Sequence, residues 1–243
     1  MTIEVLEIAR ELVRARFPQA RAAWLGGSAV LGTATVTSDL DITVLLAGPP
    51  APYRESLRYH QWPVELFVQT EASMQHFLAM ERKARRPATL RLIGRTYILA
   101  DRDGSGEYLQ RRCAAELAAG PAPLTVEELR SARYRVTDLL DDLTGSRDDT
   151  ERLLIAADLW RATAELLLTG HGRWTGSGKW LHRELTAFDR DSGTEYSKAL
   201  AHGMRSVASG NIEPMLGIVG RVLEMFGGRL FEGFRAEGPS RST

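Results

Sequence analysis

Along the chain, the spacing of apolar positions changes character near residue 120. Residues 2–16 repeat apolar side chains at the spacing of an amphipathic helix, 21–25 read as a strand, 28–34 as a short helix, and 39–47 as a strand. Pro49, Pro50 and Pro52 interrupt the pattern, and WPVELFVQT at 62–70 supplies a second polar/apolar strand. Helices are predicted at 71–85, 87–94 and 105–118, with a strand at 96–100 between the last two. Gly120-Pro121-Ala122-Pro123 cannot continue a helix and reads as a linker. Beyond it the pattern is helical throughout. Thr125 and Glu128 form a capping box, and Leu129, Val136, Leu139, Leu140 and Leu143 mark one face of a long helix that Gly145 closes. Further helices are expected at 147–169, 178–187, 194–208 and 212–227. The fold class is therefore α+β: a small mixed-sheet domain over 1–120, an all-α helical bundle over 124–235, and a Gly/Pro/Ser-rich disordered tail over 236–243.

Composition narrows the functional classes. The chain of 243 residues, 44% of them hydrophobic, can fill an ordinary core. Its 31 basic and 31 acidic residues cancel, so no extended nucleic-acid surface and no attraction to anionic lipid is expected. A single cysteine, Cys113, excludes an intramolecular disulfide and fits a reducing compartment, and its simplest role is that of a small helix residue. The N-terminal MTIEVLEIARELVRARFP carries charges throughout and is neither a signal peptide nor a membrane span, so a cytoplasmic protein is expected. Lysine occurs only at 83, 179 and 198, which draws attention to each.

The chemistry concentrates in WLGGSAVLGTATVTSDLDITVLL, residues 24–46. Side chains alternate across a strand, so Asp39 and Asp41 leave one face while Leu40, Ile42 and Val44 leave the other. Two adjacent carboxylates repel unless a cation joins them, and oxygen-only ligands favour Mg²⁺ or Mn²⁺. Glu65 stands between Val64 and Leu66 in the second strand and can reach the same ion if the strands pair. Gly26-Gly27-Ser28 lies between a strand and a helix, where backbone N–H groups and the Ser28 hydroxyl can hold phosphate oxygens. A phosphate cradle beside metal-binding carboxylates is the equipment of phosphoryl or nucleotidyl transfer.

Gly27-Ser28, ten residues, Asp39-Leu40-Asp41-Ile42, and then Val64-Glu65-Leu66 resembles the signature of the nucleotidyltransferase superfamily that includes DNA polymerase β. With a helical domain behind it, the chain is similar to the antibiotic nucleotidyltransferases acting on kanamycin, streptomycin or spectinomycin. The resemblance implies two Mg²⁺ ions at Asp39 and Asp41, ATP as co-substrate, and a small hydroxylated acceptor whose oxygen attacks the α-phosphorus and releases pyrophosphate. It implies that Glu65 completes the metal site or takes the acceptor proton; in some relatives that base comes from the helical domain. Relatives often dimerise, so a homodimer is a further expectation.

In the helical half, the helix expected at 147–169 is apolar nearly all round, with Glu151, Asp158 and Glu165 repeating every seven residues on one stripe. Such a stripe suits a cationic acceptor, and Asp158, mid-helix among apolar neighbours, is a candidate base; a solvated stripe paired to Arg152 and Arg161 is the plainer alternative. Ser177 can cap the next helix, which places Lys179 in its first turn, where the helix dipole disfavours a cation and an anion offsets it. Lys179 resembles the triphosphate-binding lysine of the antibiotic enzymes. Arg82, Lys83, Arg85 and Arg86 read as a solvated helix end. GRWTGSGKW is not a Walker loop, since Trp180 stands where Ser or Thr should bind Mg²⁺, and Arg112 occupies the last ligand position of an EF-hand-like start at Asp101. The five histidines show no metal-ligand spacing. Transfer of AMP to a small molecule is the leading expectation. Transfer to a protein or tRNA, and a non-catalytic nucleotide-binding or antitoxin-like partner role, are the alternatives.

Overall fold

A computed structural model of the chain describes residues 3–30, 32, 35 and 37–238. It divides into two compact units, Met1–Gly120 and Pro121–Thr243. The first contains helix α1 (Ile3–Arg16), strand β1 (Ala22–Gly26), the short α2 (Gly27–Val30), β2 (Leu40–Leu45), β3 (Tyr53–Tyr59), β4 (Trp62–Gln69), α3 (Glu71–Ala84), α4 (Ala88–Gly94), β5 (Tyr97–Asp101) and α5 (Ser105–Ala119). The strands form one mixed sheet in the order β3-β4-β2-β1-β5, in which β2 and β4 are parallel and the other neighbours antiparallel.

Strand alternation sorts the two faces of this sheet. Leu40, Ile42 and Val44 join Val64, Leu66 and Val68 in a core with Leu12 and Val13 of α1. Each such side chain, fully buried, contributes about 1.5–3 kcal/mol. Asp41, Thr43 and Leu45 take the opposite face by the same alternation. There the buried Trp24 donates from Nε1 to the Gly106 carbonyl of α5, 3.3 Å away. Glu81 of α3 accepts from the Thr89 backbone N–H at 2.8 Å and from its hydroxyl, so it caps the start of α4 across the turn. Its carboxyl is raised from the ordinary value because burial outweighs those bonds. Cys113 of α5 is a buried free thiol, pushed up to about 11 by burial and then by Glu116, which keeps it protonated and unreactive.

Two features depart from the sequence reading. The edge strand β3 lies where only a proline break was expected. Its pattern, YRESLRY, leaves Arg54, Ser56 and Arg58 in solvent and half-buries the intervening residues, one of which is Glu55, so the apolar alternation is blurred. The hairpin turn to β4 holds His60 and Gln61 at φ 43° and 71°, a left-handed pair without the glycine that would announce it. The helix expected over 28–34 is described as Gly27–Val30; residues 31, 33 and 34 lie outside the described residues, and Gly32 is in a turn.

The second unit is helical: α6 (Val126–Gly145), α7 (Asp149–Gly170), α8 (Lys179–Ser192), α9 (Tyr196–Ala208) and α10 (Glu213–Met225). Thr125 and Glu128 close a reciprocal capping box at 2.8 and 3.1 Å. Leu140, Leu159, Leu167, Leu185, Leu200 and Val219 draw all five helices into one core. Asp189, only 7% exposed, accepts from the Thr194 hydroxyl and from the N–H groups of Tyr196 and Ser197 at 2.7–2.8 Å, fixing the start of α9. Burial pushes its carboxyl up, but these bonds more than offset that and hold it below the ordinary range. After α10 the chain runs back along α6, where the Leu230 N–H donates to the Thr137 hydroxyl at 3.0 Å and Phe234 stacks on Tyr134 at 4.0 Å. Of the segment read as a disordered tail, residues 239–243 lie outside the described residues. Among the described residues no helix is long and apolar enough to cross a membrane.

Candidate active site

Sheet register assembles the site. Gly26 of β1 pairs with Asp41 of β2, and Asp41 pairs with Glu65 of β4, so a glycine and two carboxylates lie in one row across three strands. Asp39, one residue ahead of β2, shares the face of Asp41. One oxygen of each of Asp39, Asp41 and Glu65 lies within 4.8 Å of the others, and all three side chains are half-buried. That separation and an all-carboxylate donor set fit a hard divalent cation.

The glycine turn is shaped by this cluster. Gly27 has φ +72°, and a Cβ built there would sit 1.7 Å from Asp41 Oδ2. Only glycine lets the backbone and the carboxylate share that space. Gly26 is confined from the other side, where a Cβ would meet Thr96 and Leu92 at 3.2–3.3 Å. Ser28 is 7% exposed, and its hydroxyl donates to Ser38 Oγ at 3.0 Å; Ser38 Oγ in turn accepts from the Thr35 N–H at 2.8 Å. The turn and the approach to Asp39 are thus tied together by hydroxyls.

Glu65 has a neighbour that the sequence did not suggest. Arg54, on β3, donates from Nη2 to both Glu65 oxygens at 2.7 and 2.8 Å, and its guanidinium lies 5.1 Å from the centre of the Phe67 ring. YRESLRY lacks the clean alternation of a strand, and without the register of β3 the sequence offers Arg54 no partner.

The candidates of the helical unit are placed differently. Glu151 is exposed and accepts from the Ser146 hydroxyl at 3.0 Å; Asp158 is exposed and ion-paired with Arg161, one turn on; Glu165 is half-buried. The helix that carries them is not buried all round, since Leu153 and Leu154 are 40% and 67% exposed on its N-terminal half. Lys179 is exposed at the first position of α8, whose N-cap is Gly178 and not Ser177; the cap has φ 53° and makes no side-chain hydrogen bond. In the basic cluster, Arg82 is ion-paired with Glu116 of α5.

One mixed sheet thus carries a glycine turn and three convergent carboxylates. Residues 6–89, which include Asp39, Asp41 and Glu65, match the family described as "Nucleotidyltransferase domain". The match lies within the N-terminal unit of this chain. The crystal structure of a nucleotidyltransferase-like protein from Exiguobacterium sibiricum 255-15 is similar over 91% of this chain and 80% of that one, with 12% identity and a TM-score of 0.39. No curated protein matches the chain.

Proposed function

We propose that this protein transfers a nucleoside monophosphate, AMP from ATP, to a hydroxyl of a small molecule of the aminoglycoside type and releases pyrophosphate, acting in the cytoplasm. The observation that carries the proposal is the convergence of Asp39, Asp41 and Glu65 within 4.8 Å beside a glycine turn. Asp39 and Asp41 would hold Mg²⁺, with Glu65 as third ligand. Two such ions supply Lewis-acid neutralisation of the triphosphate charge. Gly26, Gly27 and Ser28 offer backbone N–H groups and a hydroxyl to the phosphates, with no Cβ at Gly27 to block approach. The acceptor oxygen forms its bond to the α-phosphorus, the bond from that phosphorus to the bridging oxygen breaks, and the acceptor proton passes to a carboxylate. Glu65 and Asp158 are the two bases the proposal admits.

For the helical unit the proposal rests on sequence alone: Lys179 toward the triphosphate, and Glu151, Asp158 and Glu165 toward the ammonium groups of a cationic acceptor. The test is pyrophosphate release from each of the four nucleoside triphosphates with Mg²⁺, against aminoglycosides, spectinomycin and lincosamides, with Asp39→Asn/Asp41→Asn as blank. Release that depends on one acceptor and disappears in the blank is the expected result. Nucleotide binding without release for any small acceptor would overturn the acceptor class and shift the reading to a protein or tRNA acceptor, or to a non-catalytic partner.

A further inference from the structure

The geometry points to Arg54 as a cation that stands in for the metal at Glu65: it occupies that carboxylate in the metal-free protein and competes with a divalent ion for it. This rests on the metal reading above and extends it to a residue outside the carboxylate set. A single guanidinium nitrogen reaches both Glu65 oxygens at 2.7 and 2.8 Å, so an ion taking Glu65 as ligand must share or displace that contact. Register explains the reach. Arg54 pairs with Phe67 and Ser56 with Glu65, which makes Arg54 and Glu65 diagonal neighbours on one face of the hairpin.

Exposure gives the exchange its direction. The Arg54 side chain is 61% exposed and Glu65 24%, so the arginine can swing into water while the carboxylate stays in the cluster. An ion pair this open contributes little by itself, and releasing it costs correspondingly little. Its charge still acts on the site. A unit charge a few ångströms from a divalent ion is worth about tenfold in affinity even in a water-like dielectric, and salt screens it. Arg54 is therefore a positioning residue with two effects of opposite sign: it holds Glu65 in place, and it weakens metal binding until it is displaced.

The test uses the full chain and Mn²⁺ alone, with free Mn²⁺ read by electron paramagnetic resonance and Tm followed with and without the ion. Arg54→Gln and Arg54→Ala are expected to bind Mn²⁺ about three- to tenfold more tightly at low salt, with a larger Mn²⁺-induced rise in Tm. Arg54→Lys, which keeps the charge, is expected to stay near wild type. In a Glu65→Gln background the Arg54→Gln gain should largely disappear. Wild-type binding with unchanged or weaker affinity in Arg54→Gln would overturn the competition and leave the metal site standing. Absence of Mn²⁺ binding in both wild type and Arg54→Gln would overturn the metal reading itself, and the competition with it. Should Arg54→Ala fail to fold, Arg54→Gln, which keeps the bulk of the side chain, decides the question.

Discussion

The chain carries two sets of three acidic residues with candidate chemistry, and the fold treats them in opposite ways. Asp39 and Asp41, at the start of β2, and Glu65 of β4 converge until one oxygen of each lies within 4.8 Å of the others. Glu151, Asp158 and Glu165 come from one helix, where a seven-residue repeat separates successive members by about 10.5 Å along the axis. A stripe on a helix gives alignment without convergence. Its members satisfy themselves locally, as Asp158 does with Arg161 and Glu151 with Ser146. Parallel pairing of β2 with β4 instead sets Asp41 beside Glu65, twenty-four positions later in the chain, and concentrates negative charge in one place. Charge that the fold concentrates calls for a cation; charge that it spreads needs only solvent or a neighbouring arginine.

The largest expected effect breaks the convergent set. Asp41→Asn should leave the fold intact by circular dichroism while lowering turnover on the order of 10²–10³-fold or more and weakening Mn²⁺ binding. Turnover at the wild-type level would remove the metal assignment. Next comes Gly27→Ala, which sets a methyl against Asp41 in a left-handed backbone. The conformation alone costs about 1–2 kcal/mol, and the clash must also move the carboxylate. Urea denaturation should show the loss of stability, and Mn²⁺ titration should show weaker binding in the same variant.

A carboxylate of the helical unit that the fold does concentrate donors upon sharpens the contrast. Asp189→Ala removes the acceptor of three hydrogen bonds at the start of α9 and should cost about 1–2 kcal/mol in urea. Because its folded pKa lies below the ordinary 3.8, the contribution of Asp189 is fully present above that value and is lost as pH falls through the lowered one. The gap between wild type and variant should thus be constant from pH 7 to pH 5 and narrow only on stronger acidification. The smallest effect is reserved for the stripe. Asp158→Asn, at an exposed i,i+3 pair, should change stability by less than about 0.5 kcal/mol. If Asp158 meets a cationic acceptor, KM for that acceptor rises while Tm stays fixed; if it serves as the base, kcat falls instead.

The legible part of the site was the part encoded locally. Asp39 and Asp41 on one face, Glu65 amid apolar neighbours, and glycines at a strand-to-helix turn follow from two-residue alternation and backbone freedom, which a sequence displays directly. The capping box at Thr125 and the apolar face of α6 were legible for the same reason: each rests on residues within a turn or two of each other. Arg54 was not, because its place depends on an edge strand without clean alternation and on a hairpin turn without glycine. The apolar run in α7 overstated its burial, since Leu153 and Leu154 point to solvent although their side chains resemble those of a core.

By itself, then, the sequence determined most of the elements, the residues able to do chemistry, and the resemblance to a nucleotidyltransferase motif, because periodicity and short motifs are local properties. Only the tertiary structure decided which of those residues meet. The register of β1, β2 and β4 placed Gly26, Asp41 and Glu65 in one row, the antiparallel β3 brought Arg54 to Glu65, and the absence of a Cβ at Gly27 left room for Asp41. Pairing between strands is fixed by packing over the whole sheet, and no window of neighbouring residues contains it.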